Sequence, residues 1–325
     1  MNSYIDLHCD TITMMHYPKE NLEHNKRMVD ISGMRKGGTL VQSFSAFVPT
    51  GYYPKLFRNF LAWKRFCHIA DKKDRLLRLH EKDLFPVLSA EDIERCKAEG
   101  RIGALFTIED AGVIGNRVEH LEEAYRRGVR IASLIWNHEN TLGFPNSPKE
   151  EIMQRGLKPF GVEAVQKMNE LGIVVDVSHL SDGGFRDVAK ISKKPFIATH
   201  SNSRAMTNHP RNMSDEMIRT LAEKGGVMGL NFAPAFLMEQ GRESRIEDMV
   251  RHVLHIRNVG GRGVLALGSD FDGISGTLEI DTPAKMPLLA DALQKAGLTE
   301  SELEDMWYKN ICRVFHDVWM DQCNG

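Results

Sequence analysis

Residues 5–11 read Ile-Asp-Leu-His-Cys-Asp-Thr, an apolar run that ends in polar side chains. In a β-strand, residues two apart point to the same face of the sheet. His8 and Asp10 would therefore converge at the carboxyl end of a strand, while Cys9 would point to the opposite face as a small buried residue. An imidazole and a carboxylate that converge suit a divalent metal ion, so this stretch predicts one part of a metal site.

Apolar or β-branched runs alternate along the chain with longer amphipathic stretches, which is the pattern of parallel strands joined by crossover helices. Residues 54–80 predict a long helix, whereas residues 16–38 and 138–158 read as loops. Ser89 and Thr299 each begin a capping box, which marks the start of a helix. The eight apolar runs are residues 4–8, 40–48, 102–109, 131–136, 173–178, 195–199, 227–232 and 264–270.

Eight βα units in one chain most simply close into a (β/α)8 barrel, the TIM-barrel form of the α/β class. A doubly wound open sheet is the alternative, but no Gly-x-Gly-x-x-Gly motif follows the first run, which argues against its dinucleotide-binding version. No linker or internal repeat divides the 325 residues. We therefore expect one domain that spans residues 1–325.

The composition is that of a soluble globular protein, with 42% hydrophobic and 26% charged residues. A formal net charge of −2 gives no reason to expect binding to nucleic acid or to an anionic membrane surface. No apolar run approaches the ~20 residues of a membrane helix, and residues 1–10 do not read as a secretion signal. We expect a cytoplasmic protein without nucleic-acid or membrane partners, whose five cysteines are reduced thiols.

Polar side chains suited to metal binding or catalysis follow six of the eight runs at their carboxyl ends. A barrel would gather these ends around one mouth, where the active sites of such barrels lie. Three histidines and two carboxylates exceed the usual ligand set of one catalytic zinc ion, and they suit two metals that share a carboxylate. Two metals can activate a bridging water and polarise a carbonyl, so the pattern predicts hydrolysis of an amide-like bond. The residues concerned are His8, Asp10, Glu109, Asp110, Asn137, His138, Asp176, His179, His200, Asp270 and Asp272.

A set of short motifs, each weak alone but specific in its order, resembles the membrane (renal) dipeptidases, family M19 of the amidohydrolase superfamily. The motifs run through nearly the whole chain, which is similar to the soluble bacterial members. The resemblance implies a (β/α)8 barrel with a binuclear zinc site. The motifs are Asp6-Leu-His8-Cys-Asp10, Ile108-Glu109-Asp-Ala-Gly112, Trp136-Asn-His138-Glu-Asn140, Asp176-Val-Ser-His179, Thr199-His200-Ser201-Asn202, His209-Pro-Arg211-Asn212, Gly268-Ser-Asp270-Phe-Asp272-Gly273 and Asn310-Ile-Cys-Arg313-Val-Phe315.

The resemblance also implies which residues bind the two Zn²⁺ ions, or other divalent metals in their place. By this similarity His8 and Asp10 bind one zinc, and His179 and His200 bind the other. Glu109 bridges both ions, which agrees with the shared carboxylate suggested by the number of ligands.

Three further residues correspond to the substrate-binding residues of the family. His138 would hydrogen-bond the scissile carbonyl and stabilise the developing oxyanion. Arg211 would hold the carboxylate of the substrate through its planar fork. Asp270 would hold the bridging water and the amino end of the substrate and carry a proton to the leaving amine. Asp272 is the rival for this last position, and Asp176 is expected to support the site from behind.

The leading hypothesis is a zinc-dependent dipeptidase, a metallopeptidase in which a hydroxide between the metals attacks the peptide bond of a dipeptide. A D-residue at the C-terminal position of the substrate is one option. Two alternatives stay open: a related metal hydrolase for acyl-amino acids, cyclic amides or lactones, and a metal-binding protein without turnover. Because the family often forms homodimers, a homodimer is among the expected assemblies.

Two other groups of residues are expected to have no function of their own. His252 and His255 lie three apart within residues 245–259, which read as an outer helix with a solvated or half-buried face. The basic residues within 64–78 alternate with acidic and aliphatic ones, which predicts a solvated helix face rather than a nucleic-acid patch.

Overall fold

The computed structural model describes residues 3–319, in which strands and helices alternate along the chain. The strands are β1 (Tyr4–Asp6), β2 (Thr39–Phe47), β3 (Leu84–Pro86), β4 (Ile102–Glu109), β5 (Val129–Ser133), β6 (Val174–Asp176), β7 (Met228–Leu230), β8 (Glu243–Ser244), β9 (Leu265–Leu267) and β10 (Thr277–Leu278). The helices are α1 (Thr11–Met14), α2 (Ile31–Gly37), α3 (Arg58–Leu79), α4 (Ala90–Glu99), α5 (Glu119–Arg126), α6 (Glu150–Met153), α7 (Pro159–Leu171), α8 (Asp182–Ile191), α9 (Asp215–Glu223), α10 (Pro234–Leu237), α11 (Ile246–Gly260), α12 (Met286–Lys295), α13 (Glu300–Glu304) and α14 (Asn310–Trp319).

The main sheet is parallel and has the strand order β6-β5-β4-β2-β1-β9-β7. Its two ends are joined through one more extended segment, because Ile197 makes a parallel bridge to Asp176 of β6 and Ala198 makes one to Met228 of β7. The sheet therefore curls into a closed ring of parallel segments with helices between them. The predicted (β/α)8 barrel is confirmed, and the open doubly wound sheet is excluded.

The predicted strand at residues 195–199 is extended, but it forms only single bridges to its neighbours. Ile197 bonds to β6 through its own N–H and C=O, at 2.9 and 2.8 Å, and Ala198 bonds to β7 in the same way, at 3.0 and 2.8 Å. The backbone of β7 approaches closely here, since a Cβ atom on Gly229 would stand 1.9 Å from the carbonyl oxygen of Thr199. Only one residue of this segment pairs with each neighbouring strand, and a regular strand requires pairing over several consecutive residues.

Other boundaries differ from the sequence-based expectations. β5 begins at Val129, before the predicted 131–136, and β9 covers only part of the predicted 264–270. β3 was not predicted; it pairs with the first half of β4. The short pair β8 and β10 was also missed and forms a separate small sheet. Strands of two or three residues are too short to show the alternation by which a strand is recognised.

The helix predictions at capping signals are confirmed, and two helices lie in stretches interpreted as loops. Capping boxes begin α4 and α13, and α3 falls within the predicted 54–80. α2 lies within residues 16–38: Asp30 accepts a hydrogen bond from the Gly33 N–H at 2.6 Å, and Gly38 ends the helix with a φ of 81°. α6 is a single turn within residues 138–158.

The barrel interior is filled by apolar side chains contributed by its successive segments. They form one buried cluster with the inner face of α14, which packs on it through Ile311, Phe315 and neighbouring residues. A second, larger cluster lies between the barrel and the helices. The interior members from the barrel segments are Ile5, Val41, Leu105, Ile131, Val174, Ile197 and Ala266.

Asp6 lies at the junction of the first strand and its neighbours. Its buried carboxylate accepts from Nε2 of Gln42 at 3.0 Å and from the N–H and Oγ of Ser269 at 2.9 and 2.6 Å. These bonds tie β1 to β2 on one side and to the residues after β9 on the other. They position the backbone immediately before His8.

The described residues include four free cysteines. Cys9 is fully buried, and Cys67, Cys96 and Cys312 are likewise free thiols; Cys323 lies outside residues 3–319. Within that range no helix combines the length and the apolar character needed to cross a bilayer.

Candidate metal centre

Glu109, the last residue of β4, lies among buried histidines at the carboxyl ends of the strands. Its Oε1 is 3.0 Å from Nε2 of His179 and 3.6 Å from Nε2 of His200. Its other oxygen, Oε2, lies 3.6 Å from Nε2 of His8. The two oxygens of one carboxylate thus face different histidines, an arrangement that could bridge two cations.

Two more carboxylates lie beside His8. Oδ1 of Asp10 is 3.9 Å and Oδ1 of Asp270 is 3.8 Å from Nε2 of His8. Ligand atoms within 4.8 Å of one another form two groups among the described residues: His8 with Glu109 and His200, and His8 with Asp10 and Asp270. The structure therefore brings the predicted ligands together and adds Asp270 to the carboxylates that surround His8.

Unpartnered atoms in this cluster fit a divalent cation. Nε2 of His8 and Oδ1 of Asp10 are buried and have no hydrogen-bond partner. Nε2 of His179 and Nε2 of His200 lie 3.1 Å apart, so at most one of these two nitrogens carries a hydrogen. Imidazole nitrogens and carboxylate oxygens are the donors that bind zinc and similar ions. The residues present are thus suited to a metal centre.

Burial keeps two of the histidines neutral. It lowers the pKa of His179 to about 4, with repulsion from Arg211 acting in the same direction. Burial also lowers the pKa of His200 well below its ordinary value. A histidine must be neutral to bind a metal ion, so both side chains have the required protonation state at neutral pH.

The pKa of His8, which lies among the carboxylates, is shifted in the opposite direction from those of His179 and His200. Burial alone would lower the pKa of His8, but the negative charge of Glu109, Asp10 and Asp270 outweighs it and raises that pKa to about 10. Burial also disfavours ionised Glu109, yet the surrounding histidines, His8 first, hold its pKa well below the usual range. The negative charge gathered around His8 favours a cation at this position.

The two histidines on the other side of Glu109 are oriented by polar neighbours. Oγ1 of Thr199 donates to Oδ2 of Asp176 at 2.6 Å and lies 2.7 Å from Nδ1 of His200. Because the single hydroxyl hydrogen goes to Asp176, the Thr199 oxygen accepts from Nδ1, which leaves Nε2 of His200 free as a ligand. Oδ1 of Asn137 lies 2.9 Å from Nδ1 of His179 and has the same effect.

The sequence analysis included Asn137 among the polar strand-end residues, but it assigned no specific role to Asn137 or to Thr199. Thr199 could have been found, because a hydroxyl directly before His200 is an available partner for its ring. The contact of Asn137 with His179 could not have been found, since the two residues lie 42 positions apart and no spacing rule connects them.

Backbone strain is concentrated around the same strand ends. Outside glycine, five residues between 3 and 319 have a positive φ, and Gln240 is the only one of them not at the carboxyl end of a barrel strand. The left-handed conformation costs a residue with a side chain roughly 1–3 kcal/mol and persists where the surroundings hold it. The other four are Asp110, His179, Asp270 and Asp272, with φ of 70°, 67°, 64° and 66°.

His138 lies in the loop after β5, one aromatic ring away from the histidines. Its ring centroid is 5.6 Å from that of Trp136, which in turn is 6.4 Å from that of His179. Tyr52 contacts the His138 ring edge to face at 4.9 Å. A Cβ atom on Gly51 would stand 2.4 Å from Cγ of His138, so glycine is required for the loop after β2 to approach this closely.

Arg211 is buried beside the histidines and is not a surface residue. Its Nη1 donates to Oγ of Ser201 at 3.1 Å and its Nη2 donates to the carbonyl oxygen of His200 at 3.0 Å. Its Nε is buried without a partner. Burial lowers the pKa of Arg211 to about 10, so it remains a cation with a free N–H that could bind a carboxylate.

The structure distinguishes Asp270 from its rival Asp272. Oδ2 of Asp270 accepts from Nδ2 of Asn231 at 2.9 Å, and burial raises the pKa of Asp270 to about 6. Asp272 accepts from Oγ1 of Thr11 at 2.6 Å and from the Met28 N–H at 2.9 Å. Asp272 therefore ties the start of α1 to the loop that contains Met28, whereas Asp270 lies next to His8.

The expectation for His252 is wrong. This side chain is fully buried: Nε2 lies 3.0 Å from the Leu237 carbonyl oxygen, and Nδ1 accepts from the Ser203 N–H at 3.2 Å. The inner face of α11 packs on the loops that follow His200 and β7, which sequence periodicity alone does not reveal. His255 remains half-buried, with Nε2 2.8 Å from Oδ1 of Asp215.

Comparisons with known proteins place the chain in a family. Residues 2–322 match the family described as membrane dipeptidase (peptidase family M19). An uncharacterized protein in the pqqA 5' region of Klebsiella pneumoniae is 36% identical over 241 residues, which cover 71% of this chain and 88% of that protein.

Two solved structures have a similar fold, each with a TM-score of 0.88 over 98% of this chain and 99% of theirs. One is the dipeptidase AC, a metallo peptidase of family M19, at 26% identity. The other is a metallo peptidase from Rhodobacter sphaeroides, bound to a phosphinate mimic of the dipeptide L-Ala-D-Ala, at 25% identity. The chain therefore belongs to the membrane dipeptidase family M19, whose members are metallopeptidases with a TIM-barrel fold.

Proposed function

We propose that this protein is a dipeptidase with two zinc ions in its active site, and that its substrates carry a free C-terminal carboxylate. The observation that carries the proposal is the placement of Glu109, whose Oε1 faces His179 and His200 while its Oε2 faces His8. His8 and Asp10 would hold one zinc, His179 and His200 the other, and Glu109 would bind both.

The donor atoms favour zinc over harder cations. Three imidazole nitrogens take part, and magnesium and calcium prefer oxygen ligands alone. When bound, the two zinc ions would supply an activated water and polarise the scissile carbonyl group. The remaining steps depend on side chains of this chain.

Two residues would act on the reacting groups. His138 would donate a hydrogen bond to the carbonyl oxygen as negative charge develops there. Asp270, whose Oδ1 lies 3.8 Å from Nε2 of His8, would take a proton from the attacking water and return it to the leaving amine. Asn231 holds Oδ2 of Asp270, which leaves Oδ1 directed toward His8.

Arg211 would select for the carboxylate. Its unpartnered Nε and its two Nη groups form a buried cation next to His200, and burial strengthens a charge-assisted bond to a substrate anion. A D-residue at the C-terminal position is part of the proposal, because the similar Rhodobacter sphaeroides enzyme was solved with a mimic of L-Ala-D-Ala.

The test is a substrate panel combined with metal analysis. The protein is assayed on L,L- and L,D-dipeptides, their C-terminal amides, an acyl-amino acid, a cyclic amide and a lactone. We expect two zinc ions per chain, hydrolysis of dipeptides, and loss of activity on chelation that zinc restores.

Three other outcomes would contradict the proposal. Preferred hydrolysis of a lactone or cyclic amide would assign the site to a different metal hydrolase. Bound metal without turnover of any panel member would indicate a binding protein. Full activity in the metal-free protein would exclude the metal mechanism.

A further inference from the structure

A polar cavity of about 210 Å³, separate from the candidate metal centre, lies between the chain after α1 and the outer helix α3. His16 and Tyr17 form one wall, and Arg65, Lys72 and Arg75 form the other. None of the residues around the metal centre lines it. The basic stretch 64–78, expected to be a solvated helix face, therefore contributes to a concave site.

Lys72 lies at the floor of this cavity. Its side chain is only 6% exposed, and its Nζ donates one hydrogen bond, to the Met15 carbonyl oxygen at 2.9 Å. An ammonium group has three N–H donors, and a buried charge is costly unless an opposite charge accompanies it. Within the described residues no carboxylate forms an ion pair with Lys72, whereas the adjacent Lys73 pairs with Asp74 at 2.6 Å.

The surroundings of Lys72 are positively charged. Burial, followed by repulsion from Arg65 and Arg27, lowers the pKa of Lys72 to about 8, and attraction to Glu20, which pairs with Arg27 at 3.4 Å, offsets only part of this. The carboxylate that lines the cavity, Asp71, already accepts from Nη1 of Arg127 at 2.9 Å. The walls therefore hold more positive charge than they neutralise.

We propose that this cavity binds a small phosphate-bearing anion, with the Lys72 ammonium at its floor and Arg65 and Arg75 at its rim. Three cationic side chains suit a doubly charged anion better than a single carboxylate. The volume lies below the roughly 300–1,000 Å³ of pockets for drug-sized ligands, so the ligand is inorganic phosphate or a small phosphate monoester.

The ligand would link α1 to α3 and so reach the first metal-binding stretch. Thr13 lines the cavity and belongs to α1, which begins directly after Asp10. Oγ1 of Thr13 donates to the Ser45 carbonyl oxygen at 2.8 Å and accepts from the Phe47 N–H at 3.0 Å. A bound anion would therefore stabilise the native state, because it binds a site that exists only when these segments are assembled.

The test uses the metal-loaded protein and titration calorimetry with inorganic phosphate, then with glycerol 3-phosphate, at constant ionic strength set by chloride. Lys72→Met removes the buried cation and keeps the volume. Lys64→Met is the matched control, because Lys64 is exposed on the same helix and does not line the cavity. Arg65→Gln and Arg75→Gln test the rim without altering the interior.

We expect binding by the wild type and by Lys64→Met, and affinity weaker by about tenfold or more in Lys72→Met and in the rim variants. The tighter of the two ligands identifies the source of the phosphate group. Phosphate bound only at the metal centre would keep its affinity in Lys72→Met, and that result, or no binding by the wild type, overturns the proposal. If Lys72→Met does not fold, unchanged affinity in the two rim variants overturns it.

Discussion

Glu109 and His179 meet at 3.0 Å through Oε1 and Nε2, on one side of the candidate metal centre. Oε2 of Glu109 is left to face His8, at 3.6 Å. His8 in turn stacks on His200, with ring centroids 3.9 Å apart. The site is therefore a continuous group in which Glu109 is the residue common to both sides.

Glu109→Gln should lose more metal than His8→Ala. An amide has a single oxygen and no charge, so it cannot serve two cations, whereas His8→Ala removes one ligand from one side. We expect kcat/KM for a dipeptide to fall about a thousandfold or more in Glu109→Gln, since a metal ion contributes several kcal/mol to such reactions. Metal analysis and thermal unfolding are the measurements. A Glu109→Gln protein with both ions, or a His8→Ala protein that does not fold, would contradict this assignment.

Thr199→Val should weaken metal binding by about 10- to 100-fold while the fold is kept. Valine has the shape of threonine but cannot accept from Nδ1 of His200 or donate to Asp176. Thr107→Val is the control, because the buried Oγ1 of Thr107 has no hydrogen-bond partner. Competition with a zinc chelator gives both affinities. Equal metal affinity in the two variants would mean that Thr199 does not orient the ligand.

Gly51→Ala should lower kcat by displacing His138. The added Cβ would stand 2.4 Å from Cγ and 2.5 Å from Cβ of that histidine, positions that cannot move without the loop. We expect about a 10- to 100-fold loss, because a displaced hydrogen-bond donor removes part of the oxyanion stabilisation. Gly263→Ala is the control, since nothing lies within 4 Å of its Cβ position. Similar kcat values in both variants would show that the contact with Gly51 does not position His138.

Arg211→Lys should affect a dipeptide far more than its C-terminal amide. Lysine keeps a charge but loses the fork and the free Nε that lies buried beside His200. We expect kcat/KM for the dipeptide to fall by about 10- to 100-fold, with little change for the amide. Both substrates are measured at the same zinc occupancy. An equal loss on the two would remove carboxylate recognition from the assignment of Arg211.

His252 should make the fold sensitive to acid in a defined range. Burial lowers its pKa from 6.5 to about 4, so between these values the unfolded chain binds a proton that the native state does not. The free energy of unfolding should therefore fall as the pH decreases from 6.5 toward 4, by about 1–3 kcal/mol from this group. Denaturant unfolding of wild type and His252→Gln at several pH values measures it. A stability difference between the two that does not shrink on acidification would contradict the prediction.

Much of the fold and the site was accessible from local patterns. Apolar runs and capping signals such as Ser89 and Thr299 depend on neighbours in sequence, so the βα alternation and the starts of α4 and α13 could be predicted. The candidate ligands His8, Asp10 and Glu109 could be proposed because each lies at the carboxyl end of such a run, where a barrel places its active site. The short β3 could not be found, since its pairing with β4 is a contact across the sheet.

The sequence by itself determined the barrel and the chemical character of the strand ends, because periodicity and residue type are properties of the chain. Only the tertiary structure decided how the oxygens of Glu109 are divided between histidines, that Asn137 orients His179, and which polar residues are buried. Lys72 and His252 lie in stretches that read as solvated or half-buried helix faces, yet packing encloses both side chains. The physical reason is that burial and charge depend on segments distant in sequence, and these fix the pKa and the hydrogen-bond partners on which binding and catalysis depend.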